Sequence, residues 1–201
     1  LAAGTHTIDV DWSISSVLGL EWCHLLIDAG VAVAGDTAQI VALPTRPAFG
    51  DLTRQGLPFY GANYTWRTRV SAPGGRLRLA TGAFDAAAVV VVLDGVERGV
   101  IAWAPWRLDL GDVPAGDHDL AITVLGTRIN TFGALHNADR RAQWHGPNAW
   151  RTTGDAWSDA WQIRPFGLRV GERAQANRPS SNHCENCVGD PAVTSSRRYS
   201  A

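Results

Sequence analysis

The chain contains no methionine and only three cysteines. A natural chain begins with methionine, so Leu1 is expected to lie inside a longer or processed protein. Cys23, Cys184 and Cys187 are too few, and odd in number, for a disulfide framework, which leaves the compartment open. No apolar run approaches the roughly 20 residues that span a bilayer. The N-terminus lacks the basic-then-apolar pattern of a secretory signal. Neither charge sign dominates: the net charge is -1, which gives no bulk reason to expect nucleic acid or a membrane surface as partner. A persuasive long helix is missing as well.

What is present is tryptophan. There are nine, against three tyrosines and five phenylalanines. Indoles stack flat ligands such as sugars, and they also fill cores. Short alternating segments account for most of the remaining pattern. Ile8, Val10 and Trp12 alternate with Thr7, Asp9 and Asp11, as in a half-buried strand. Tyr64, Trp66, Thr68 and Val70 share one strand face, with Arg67 and Arg69 on the other. Pro73-Gly74-Gly75 reads as a turn into Leu77 and Leu79. Ala88 to Leu93 is an apolar β-branched run, expected to be a fully covered central strand. Asp94-Gly95 then predicts a hairpin, because both turn residues tolerate positive φ. Trp106, Leu108 and Leu110 alternate with Arg107 and Asp109.

Pro114-Ala115-Gly116 leads into the aliphatics Leu120, Ile122 and Val124, in a pattern like that of the first ten residues. That likeness suggests a second module cut short upstream. Residues 18 to 33 fit a helix by apolar density, while their glycines favour strands. Residues 44 to 58 hold three prolines and two glycines, which leaves no room for a regular element. From 127 to 165 regularity falls and Trp144, Trp150, Trp157 and Trp161 crowd in. Last strands are expected at 161–163 and 168–170, followed by a polar, disordered tail. The expected class is all-β, an antiparallel sandwich. Its expected boundaries are 1–35 for the last strands of a preceding module or an N-terminal extension, 36–174 for the sandwich, and 175–201 for the tail.

The order of several motifs adds a resemblance. Residues 56–70, the unit from Gly82 to Gly99, Ala102 to Leu110, and Ala115 to Val124 together resemble the galactose-binding-like jelly-roll domains that accompany many glycoside hydrolases. The likeness is to the C-terminal sandwich of large bacterial glycosidase-like proteins and covers roughly 40–170. Pro58-Phe59-Tyr60-Gly61 matches the family's entry motif with its glycine one place early. Trp103-Ala104-Pro105-Trp106-Arg107 matches its bend in full. Asn130, Gly133 and His136 match a later stretch, where Ala134 and Leu135 replace a proline and a histidine. The resemblance implies a sugar-binding or domain-bracing role, with the catalytic domain upstream in the same polypeptide.

Candidate site residues follow from both lines of reasoning. Trp103, Trp106 and Arg107 offer stacking surface and a planar donor to a sugar, or else pack on a neighbouring domain or the core. Asn130 and His136 belong to a polar cluster with Asn137, Asp139, Arg140, Arg141, His145 and Asn148. Glycoside hydrolysis needs two carboxylates roughly 5–10 Å apart, and nothing in the sequence brings Asp139 and Asp155 together. Asp85 has the oxygens for a structural calcium, but with no dense Asp/Asn run it is read as a turn cap. His183, Cys184 and Cys187 make a His-Cys-x-x-Cys cluster that needs further ligands from a partner chain to close a zinc site. Ser13, Ser15 and Ser16 lack a nucleophile elbow. No cofactor is expected. The expected function is a non-catalytic carbohydrate-binding or bracing module of a larger glycoside hydrolase. The rivals are a purely structural interaction domain and a catalytic fragment acting on glycans.

Overall fold

The computed structural model describes residues 5–9, 11, 24–139 and 154–169. Among these the chain is nearly all β, and every strand pairing is antiparallel. Its elements are β1 (Gly30–Ala34), β2 (Thr37–Val41), β3 (Tyr64–Ala80), β4 (Phe84–Asp85), β5 (Ala88–Leu93), β6 (Val96–Ile101), β7 (Arg107–Leu125), α1 (Ile129–Phe132) and β8 (Gly167–Leu168). A four-stranded sheet has the order β3-β7-β5-β6. Two short pairs, β1 with β2 and β4 with β8, stand beside it.

β5 is the innermost apolar element. It pairs with β7 on one side and β6 on the other. Val89, Val91 and Leu93 are fully buried, each stabilising by about 1.5–3 kcal/mol. Val90 and Val92 face the other way and are half-buried. The run is therefore central by pairing yet covered fully on one face only, unlike the strand buried on both faces that its composition suggests. The turn after it forms as expected, with Asp94 at φ 52° and Gly95 at φ 77°.

β3 and β7 are far longer than their sequence implies. Pro73-Gly74-Gly75 and Pro114-Ala115-Gly116 do not turn the chain back. Pro73 pairs with Ala115, and Gly75 with Val113, so two stretches read as turns are one shared bend in a continuous ribbon. Gly74 and Gly75 lie at φ 91° and 93°, and Gly116 at 134°, conformations that supply the bend and that glycine alone adopts without strain. A bulge between Leu77 and Arg78 leaves Leu110 as an extra residue on β7. Leu77, Leu79, Leu110 and Val113 point inward on one side of the bend. Tyr64, Leu120, Ile122 and Val124 do so on the other.

Phe84 and Leu168 of the β4–β8 pair, with Leu52 and Phe166, close the core from the opposite side. Leu52 lies in a 3-10 turn, Leu52–Gln55, inside the Pro/Gly-rich stretch. Asp51 caps that turn: its Oδ1 accepts from the Thr53 N–H at 3.0 Å. The glycines of residues 18–33 correctly point to a strand at β1, whereas 161–163 forms none. Among the described residues of the N-terminal alternation, Thr5–Asp9 has no regular structure and Ile8 is 66 % exposed, while Val10 and Trp12 lie outside the described residues. The β1–β2 hairpin straddles position 35, and Val31 N–H donates to the Gly56 carbonyl at 2.8 Å.

Candidate binding cleft

A cleft of about 470 Å³ opens beside α1. Asp85 of β4 lies on its wall. Thr127 comes from the approach to α1 and Ile129 from its first position, Leu135, Asn137 and Asp139 from the loop after it, and Gln162 and Arg164 from the segment leading to β8. Close backbone approach holds these pieces together. A Cβ on Gly126 would run into the Gly61 carbonyl, and one on Gly61 into Thr131 Oγ1. With both positions bare, α1 docks on the 59–62 loop, and Thr131 Oγ1 donates to the Phe59 carbonyl at 2.8 Å. Gly133 ends α1 where any side chain would strike the Ile129 carbonyl.

Asn130 is 2 % exposed and fastens α1 to the wall opposite. Its Nδ2 donates to the Arg164 carbonyl at 2.7 Å, and its Oδ1 accepts from the Arg164 N–H at 3.0 Å. The amide that the sequence offered to a sugar is thus occupied by backbone. His136 is similarly engaged. Its ring stacks on Trp157 at 4.6 Å between centroids and tilts against Trp161 at 4.4 Å, while Nδ1 lies 2.9 Å from the Ser158 carbonyl. Trp161 in turn donates through Nε1 to the Asp36 carbonyl at 3.1 Å, and its ring meets Phe59 edge-on. These tryptophans anchor the irregular loop to the hairpin.

Asp85 caps no turn. Arg169 grips its carboxylate with two bonds, Nε to Oδ2 at 3.0 Å and a terminal nitrogen to Oδ1 at 2.8 Å. The pairing is a cross-strand clasp between β4 and the residue after β8. Among the described residues no three His, Cys, Asp or Glu side chains converge on a metal position. Asp139 lines the cleft and Asp155 does not, although the Asn137–Trp157 bridge and the bond from the Ala138 N–H to the Ala156 carbonyl at 2.9 Å run their two segments side by side.

The Trp103–Arg107 bend lies elsewhere, between β6 and β7. It contains a cis Ala104-Pro105 bond, and Trp106 takes φ 55°. Trp106 turns inward and meets Phe84 edge-on at 5.0 Å, while its carbonyl accepts from Thr81 N–H at 3.1 Å. Trp103 is 77 % exposed and Arg107 is exposed too. The two indoles therefore do not present a joint platform. Cys23, His183, Cys184, Cys187, Arg140, Arg141, His145, Asn148 and the tail lie outside the described residues.

Thr127, Gln162 and Arg164 carry little local signal as cleft residues. Each is an ordinary polar residue in an irregular stretch, and only the docking of α1 makes them neighbours.

No protein-family model matches the chain, and no curated protein does. Among solved structures, a rhamnosidase from Novosphingobium sp. PP1Y is similar over 76 % of this chain, with 23 % identity and a TM-score of 0.42. The chain spans 15 % of that protein's length.

Proposed function

We propose that the chain is a non-catalytic carbohydrate-binding module of a larger glycoside hydrolase, taking a sugar in the cleft beside α1. The observation that carries this reading is the chemistry of the lining. Thr127, Asn137, Asp139, Gln162 and Arg164 set hydroxyl, amide, carboxylate and guanidinium groups around an apolar floor of Ile129, Ala134, Leu135 and Pro165. A pyranose has the matching character: hydroxyls at its edge and C–H groups on its faces. The motif order that resembles galactose-binding-like jelly rolls supports the glycoside hydrolase setting.

Gln162 provides the most direct test. Its Nε2 donates to Ser158 Oγ and the Ala160 carbonyl, both at 2.9 Å, and among the described residues no such bond engages its Oε1. Titrating the chain with a panel of monosaccharides and oligosaccharides, read by tryptophan fluorescence and calorimetry, is expected to find a binder. Gln162→Ala and Asp139→Asn are expected to weaken it by about tenfold or more, on the order of one charged or neutral hydrogen bond each. A folded sample that binds no sugar would sink the reading.

A second reading, bracing of a neighbouring domain, is favoured by Trp103. It is exposed, and so is Val100 on β6, the last strand in the sheet order among the described residues. Under that reading Trp103→Ala weakens association with the upstream domain and leaves sugar titrations unchanged.

A further inference from the structure

His118 stands on β7 with 8 % of its surface exposed and faces an acceptor at each ring nitrogen. Nδ1 lies 2.6 Å from Asp94 Oδ2, and Nε2 lies 2.9 Å from the Pro114 carbonyl. A carbonyl oxygen only accepts. Asp94, held ionised below its ordinary 3.8, only accepts as well, and its Oδ1 takes the Asp119 N–H at 2.9 Å. A neutral imidazole has one N–H, so one of the two contacts would set lone pair against lone pair. Only the imidazolium, a donor at both nitrogens, satisfies both sides.

We infer that His118 is a charged latch that fastens the β5–β6 turn to β7 and lets go when the ring loses its proton. The place matters because β6 is an edge strand, paired among the described residues with β5 alone. Asp94 sits in the turn at its start and is the point where that hairpin tip is tied back to β7. The Asp94 N–H adds a bond to the Asp119 carbonyl at 2.9 Å. The latch thus adds a proton-dependent tie to the backbone bonds that already join this turn to β7.

The charges around the ring act in the same direction. Hydrogen bonding to Asp94, first, and to the Pro114 carbonyl holds His118 above its ordinary 6.5, and the nearby Asp94 and Asp117 charges add to this against the cost of burial. Hydrogen bonding from His118, first, and from the Asp119 backbone holds Asp94 below 3.8, with Arg98 of β6 contributing. The Asp119 carboxylate points to Arg69 of β3, 3.4 Å away. The signs follow from linkage. The His118 contribution is complete below 6.5 and is lost as pH rises through the raised value. The Asp94 contribution is present above 3.8 and is lost as pH falls through the lowered value. The latch is closed between the two and opens at both ends.

The test is nitrogen-detected NMR of the imidazole together with hydrogen exchange across β6, both as a function of pH. At pH 6 both ring nitrogens of His118 are expected to carry protons. Raising the pH through the titration is expected to increase opening of residues 96–101, after correction for intrinsic exchange. The increase is about tenfold for each pH unit by which the folded pKa exceeds that of the opened hairpin. His118→Gln and Asp94→Asn are expected to remove that pH dependence while keeping the native tryptophan emission. A single-proton tautomer at pH 6, or β6 exchange that stays flat through the titration, would overturn the latch. Both are read on the unmodified chain, so a variant that fails to fold leaves the test decisive.

Discussion

A buried polar group is worth what its partners make it worth, and Asn130 and Tyr64 are opposite cases. Asn130 spends both ends of its amide on the Arg164 backbone. Asn130→Ala would leave a buried N–H and carbonyl without partners and is expected to cost about 1–3 kcal/mol, checked by urea unfolding. Tyr64 is 1 % exposed and its hydroxyl has no hydrogen-bond partner in good geometry. Burial above all pushes its pKa up, from 10.0 to about 12. The folded chain then holds a proton that the unfolded chain releases, so stability falls as pH rises from 10.0 towards about 12. Tyr64→Phe is expected to remove that loss and to be close to neutral at pH 7, by thermal unfolding across pH; a clear destabilisation at pH 7 would show a bonded hydroxyl. The sequence marked Tyr64 as inward by its alternation with Arg67 and Arg69. It marked Asn130 only as polar, because nothing local reveals that a carbonyl and an N–H from Arg164 will arrive beside it.

Elements with local causes were legible, and elements with distant causes were not. The Asp94-Gly95 turn follows from adjacent residues, whereas the one-sided burial of Ala88–Leu93 does not follow from its uniformly apolar run. The bend of β3 and β7 does not. Pro/Gly clusters signal a change of direction, but whether the chain reverses or merely bends depends on whether another strand lies alongside to pair with it. Here each cluster supplies the other's partner. Gly75 separates conformation from crowding, since a Cβ there meets nothing within 4 Å while φ is 93°. Gly75→Ala is therefore expected to cost about 1–2 kcal/mol through backbone strain alone, seen as a lower denaturation midpoint with an unchanged slope. The role of the Trp-rich loop was not legible, because stacking of His136 on Trp157 and Trp161 joins residues that share no periodicity.

At the scale of the molecule, the cleft is a product of assembly: its walls come from β4, α1, the following loop and the segment before β8, and no single stretch announces it. The all-β class was legible because alternation and turn chemistry recur along the whole length. The β3–β7 ribbon carries a consequence for time as well as for shape. At one end it joins Ala80 to Arg107, and at the other Tyr64 to Val124, with everything from β4 to β6 lying between its two strands in the chain. Closing the nearer end costs less chain entropy than closing the farther one. The ribbon should zip from Ala80 and Arg107 through its bend towards Tyr64, after the β5–β6 hairpin has formed. Leu79→Ala, near the first end, is expected to slow refolding, whereas Trp66→Ala, near the last, should chiefly hasten unfolding, as stopped-flow measurements would resolve. A long strand bent by glycines is in this sense a schedule: its two ends belong to one element in space and to different moments in folding.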